Sequence, residues 1–101
     1  VRRAYADVVA ALAETDGVTC SRMFGSEALK LRGKVFVMDV KGRLVAKLAT
    51  ARVAELVGTG LGVAFDPGHG RPMKQWVAVA PDADLDWVAL AHEALEFATR
   101  D

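Results

Sequence analysis

The chain has 101 residues, enough for one domain with its own core and too few for a second large one. Hydrophobic residues make up 52% and charged residues 26%, which supplies a core and excludes a disordered polyelectrolyte. Thirteen basic side chains balance thirteen acidic ones, so the general basic footprint of a simple nucleic-acid or acidic-membrane binder is missing.

The longest run without a charged side chain, Leu56 to Phe65, falls far short of the ~20 residues a membrane helix needs. The amino end is amphipathic and broken by Asp7, unlike the apolar centre of a secretory signal. Cys20 is the single cysteine and cannot close an internal disulfide, so a cytoplasmic protein is expected.

In chain order, Tyr5, Val8, Val9 and Leu12 line one side of a helix predicted over 2–15, with Gly17 placed for a left-handed stop. Three β-rich segments follow, Glu27 to Arg32, Lys34 to Val40 and Arg43 to Leu48. Gly33 and the pair Lys41, Gly42 leave room only for hairpin turns, so these segments form an antiparallel meander. Strict alternation puts Leu29 and Leu31, then Phe36, Met38 and Val40, then Leu44, Ala46 and Leu48 on the core face. It puts Val35, Val37 and Val45 on the other face with Lys30, Arg32, Arg43 and Lys47.

Thr50 is positioned to cap a second helix over 51–58, carried by Val53, Leu56 and Val57 and ended by Gly58, Gly60 and Gly62. Leu61 to Phe65 and Gln75 to Ala80 read as strands around a glycine- and proline-rich loop, Asp66 to Pro72. Acidic residues at 82, 84 and 86 suit the first turn of a last helix over 84–99. The expected fold is α+β: two layers, an antiparallel sheet of about five strands with helices, in the order α-β-β-β-α-β-β-α.

No set of residues spells out catalysis. Cys20 has no histidine near it in sequence to make a thiolate, and His69 and His92 are too few and too separated for a triad or, with Cys20, for a zinc set. No catalytic residue, metal or cofactor is therefore assigned. The loop containing Gly68, His69, Gly70, Arg71 and Lys74 has the glycines and cations of a small anion or partner contact at His69, Arg71 and Lys74. A structural turn is the plainer explanation. Charge is uneven along the chain: residues 20–50 hold seven basic and two acidic side chains, and residues 82–101 one basic and six acidic. The basic stretch admits an acidic protein or a nucleic acid. Its valines favour protein, and few aromatics are placed there to stack bases.

Two segments, Arg22-Met23-Phe24-Gly25 and Gly70-Arg71-Pro72-Met73, with Gly33-Lys34-Val35-Phe36 between them, resemble the amino-terminal domain of the TfoX/Sxy competence-regulator family. The usual second glycine and aromatic after Met-Phe-Gly are replaced by Ser26, Glu27 and Ala28. The resemblance runs over nearly the whole chain and implies a secretion-chaperone-like two-layer fold and a regulatory role without catalysis. Full-length members add a carboxy-terminal helical domain for which 101 residues leave no room, so a stand-alone member over 1–101 is expected. A protein partner is expected, with a nucleic-acid accessory as the alternative and an enzyme acting through Cys20 or the His69 loop as the remote one. Valines 35, 37, 45, 77 and 79, read as an uncovered sheet face, suggest a homodimer.

Overall fold

Helix α1 (Tyr5–Leu12) buries Tyr5, Val8 and Leu12, the stripe its spacing dictates. The computed structural model describes residues 4–23, 26–65 and 73–100. The helix stops at Leu12, short of the predicted end, and Gly17 (φ 85°) turns the chain into a strand that pattern reading missed, β1 (Val18–Met23). Only Val18 is buried among the described side chains of β1, so this edge strand carries almost no hydrophobic alternation to read.

Strands β2 (Ser26–Leu31), β3 (Lys34–Val40) and β4 (Arg43–Lys47) form the expected meander. Both of its turns pair a side-chain residue with a glycine at positive φ: Arg32 (51°) with Gly33 (85°), and Lys41 (52°) with Gly42 (79°). Two consecutive positive φ values make the type I′ turn whose twist matches the flanking strands. Arg32 is thus a turn residue, outside the strand assigned to it.

Helix α2 (Thr50–Gly58) begins one residue ahead of expectation, with Ala49 at the cap position and no side-chain cap bond. The reason lies upstream. The Leu48 amide donates to the Gln75 carbonyl (2.8 Å), which holds the chain extended through Ala49, whose own carbonyl accepts from Arg52 N and Val53 N. Gly60 (φ 80°) ends the helix, with Leu61 N and Gly62 N both donating to Leu56 O. Strands β5 (Val63–Phe65) and β6 (Met73–Val79) complete the sheet. Helix α3 (Trp87–Arg100) then starts where Asp86 Oδ1 accepts from Val88 N (2.9 Å) and Ala89 N (3.3 Å), three residues later than predicted.

The sheet has six antiparallel strands in the order β1-β2-β3-β4-β6-β5, in place of five. All three helices pack on one face, where their apolar stripes join one core with Leu29, Leu31, Phe36, Val37, Leu44, Ala46, Val77 and Val79. Helix α3 crosses β3 and β4 and carries α1 against it, while α2 covers β6 and β5. Arg52 ties α2 to α3 with a two-pronged grip on Glu93, Nε to Oε1 at 2.9 Å and Nη2 to Oε2 at 3.1 Å, and also pairs with Glu55. These carboxylates raise the Arg52 pKa, with the Glu93 hydrogen bonds the largest cause.

One irregularity changes which residues face which way. Between Leu29 and Lys30 the β2–β3 register shifts, because Leu29 pairs with Val37 and Lys30 with Val35, leaving Phe36 as an extra residue. A bulge places two residues of one strand opposite one of its neighbour, so Phe36 and Val37 both turn into the core and both are fully buried. Beyond the bulge the alternation is inverted. Met38 and Val40, expected in the core, lie on the other face, and Val37, expected outside, is core. Val77 and Val79 are core as well, which removes three of the five valines from the uncovered face.

Gly62 lies against this core. A Cβ there would meet Val77 Cγ2 at 2.6 Å and the Ala78 carbonyl oxygen at 3.3 Å, and Val77 is fully enclosed and stiff at χ1. Gly62→Ala is expected to destabilise the fold by about 1–3 kcal/mol, the usual cost of forcing an extra methyl into packed surroundings. Urea unfolding checks this, and pairing the change with Val77→Ala should recover part of the loss.

Candidate functional site

The described ends of the two family-like segments lie far apart in the sheet. Arg22 and Met23 end β1 at one edge of the sheet, and Met73 opens β6, four strand spacings or about 19 Å across. Register separates them along the strands as well, since the row Arg22, Glu27, Asp39, Leu44, Val79 meets β6 at the end away from Met73. Arg22 is exposed and lies 4.0 Å from the exposed Glu27, an ion pair of small energetic weight. Phe24, Gly25, His69, Gly70, Arg71 and Pro72 lie outside the described residues, as do the side chains of Met23 and Met73. Of the proposed anion contact only Lys74 is described, exposed on β6. His92 is exposed on α3. Among the described residues no three His, Cys, Asp or Glu side chains are grouped to hold a metal ion, and no helix is long and apolar enough to cross a membrane.

Cys20 is exposed on β1, in the row Cys20, Leu29, Val37, Ala46, Val77, Ala64 that faces the helices. Its neighbourhood includes the Tyr5 phenol, which is buried without a hydrogen-bond partner, as is Trp87 Nε1. Burial pushes the Tyr5 pKa well above the usual tyrosine value, and the negative charges of Glu27, Cys20 and Asp39 push the same way. Two enclosed donors without acceptors are destabilising features.

The other sheet face has a different character. Its central row runs Ser21, Ala28, Met38, Val45, Ala78, Val63 across all six strands. Ala28, Val45 and Ala78 are buried, Met38 is half-buried, and Val63 at the far edge is 52% exposed. Flanking pairs put Lys30 beside Val35, Lys47 beside Trp76 and Arg43 beside Val40, with Val35, Val40 and Trp76 half-buried. None of these side chains belongs to the core that the helices cover. Both carboxylates of the described strands, Glu27 and Asp39, pair with each other in register on the helix side. The face is therefore apolar in its middle, and among the described strand residues the charged side chains placed on it are basic. At its Val63 end it meets a cleft of about 310 Å³ between the α2–β5 and β6–α3 connections, where Arg43 and Asp82 supply the charges and Gly60, Leu61, Gly62, Ala80 and Ala83 most of the remaining wall.

Compared with known proteins, the chain matches no family model, no curated protein and no solved structure.

Sequence reasoning located Lys30, Arg43 and Lys47 on this face and missed Met38, Val40 and Trp76. The bulge that sends Met38 and Val40 there has no marker such as glycine or proline near Phe36, and the Trp76 parity depends on which strand β6 joins.

The raised Tyr5 pKa carries a pH dependence. The unfolded phenol ionises near pH 10 while the folded one stays protonated, so the contribution of Tyr5 is complete below pH ~10 and is lost as pH rises toward the folded value. Tyr5 is the only tyrosine, so absorbance at the tyrosinate band reports it alone. Above pH ~10 its share of stability should fall by up to about 1.4 kcal/mol per pH unit. Tyr5→Phe should remove that slope and leave stability at neutral pH unchanged or higher, because it deletes an unpaired buried hydroxyl.

Proposed function

We propose that this chain is a non-catalytic protein-interaction module, a regulatory domain similar to the amino-terminal domain of the TfoX/Sxy family, that holds its partner on the open sheet face. One observation carries the reading: all three helices cover one side of the sheet, leaving the other with an apolar row flanked, among the described strand residues, by Lys30 and Arg43. The half-buried Val35, Met38, Val40 and Trp76 and the exposed Val63 offer partly accessible apolar surface framed by polar side chains, the usual signature of a protein contact. The helix-plus-meander order supports the family likeness and a secretion-chaperone-like architecture. The lone exposed thiol of Cys20 suits a reducing, cytoplasmic setting.

A photoreactive amino acid placed at Met38 or Val40 in native cells tests this reading, with the exposed Ala54 of α2 as the control site. Discrete protein adducts are expected from the sheet positions and none from α2. Equal labelling at both sites, or none from the sheet, would sink it.

A second reading, a nucleic-acid-binding accessory in transcriptional control, draws on Trp76 joining Lys30, Arg43 and Lys47 on one face, since an aromatic beside cations is how single strands are held. Fluorescence anisotropy with duplex DNA and with RNA at low salt separates the two: the interaction module leaves both free, whereas the accessory binds and loses affinity steeply with added salt.

A further inference from the structure

Resting on the interaction reading just given, we infer that the occupant of the open face is an acidic amphipathic segment of another protein. Charge complementarity selects it. Lys30 and Arg43 lie on this face, and the strand carboxylates Glu27 and Asp39 are in register on the opposite one. The accessible apolar groups are the half-buried Val35, Met38, Val40 and Trp76 and the exposed Val63, so the segment must bring hydrophobic side chains on one side and carboxylates at its margins.

Size and shape narrow the match further. The row from Ser21 to Val63 crosses five strand spacings, about 24 Å, a length that roughly 16 residues of α-helix span. At its end the cleft beside Val63 has walls made largely of glycine and alanine and accepts one apolar anchor. Arg43 and Asp82 both line that cleft, so its own charges offset each other and an apolar anchor suits it better than a carboxylate.

Two other occupants fit less well. A second copy bound face to face sets two cationic surfaces against each other. A nucleic acid needs cations that follow its phosphates, and here Val35, Met38 and Val40 lie among them.

The test uses three fluorescent helical peptides of about 18 residues, alike on a leucine-rich face and carrying Glu, Gln or Lys on the other. Anisotropy is read at about 20 and 300 mM salt, and amide shifts locate the contact. The Glu peptide should bind about tenfold tighter than the Gln peptide, lose that margin at high salt, and shift Lys30, Met38, Val45 and Ala78. The folded Lys30→Glu, Arg43→Glu variant should prefer the Lys peptide. Equal binding of the three peptides, shifts confined to the helices, RNA binding in place of peptide, or a doubled mass abolished by Met38→Glu would each overturn the inference. If the peptides fail while adducts at Met38 persist in cells, the acidic occupant falls and the interaction module stands. If both fail, both fall.

Discussion

Phe36 and Val37 are neighbours in β3, and both end in the same core. A regular strand cannot do this, because consecutive side chains point to opposite faces. The extra residue opposite Leu29 resolves the conflict by resetting the alternation halfway along the strand. From that step follow the pairing of Val37 with Ala46, the pairing of Met38 with Val45, and hence which face of the sheet the helices find apolar enough to cover. Without the bulge, Val37 would leave the core and Met38 would replace it, and the row that crosses the open face would be a different one.

The same step organises the charges. Once the face is chosen, Glu27 and Asp39 are carried to the helix side and Lys30 and Arg43 to the other. The helix layer is closed by Arg52, whose guanidinium grips Glu93 of α3 and Glu55 of its own helix. That contact is partly exposed, and its value lies more in fixing the angle between α2 and α3 than in raw stability. It keeps the α2–β5 connection in place, and with it one wall of the cleft at the end of the open face.

Much of this was open to reading in the residues themselves. Helical stripes such as Tyr5, Val8, Leu12 or Val53, Leu56 repeat at the helix period and need no tertiary information. The meander was legible because Gly33 and Gly42 confine its connections to tight turns, and tight turns make antiparallel neighbours. Edge strand β1 was not, because an edge needs only one buried side chain and Val18 is the one described. The ends of α2 and α3 shifted for a similar reason. Leu48 is held by Gln75, a contact 27 positions along the chain that no local signal announces, and Asp86 alone of the acidic residues 82, 84 and 86 reaches the free amides of α3.

Residue patterns alone carry the α+β class, the segregation of helices from an antiparallel sheet, and the excess of cations in the strands. Each depends on periodicity, turn length or composition, and these are local. The sixth strand, the distance between Arg22 and Met73 across the sheet, and the membership of the open face follow from long-range pairing. Those depend on register, which is decided where strands pair and bury one face, and the Phe36 bulge makes that choice between strands rather than within one.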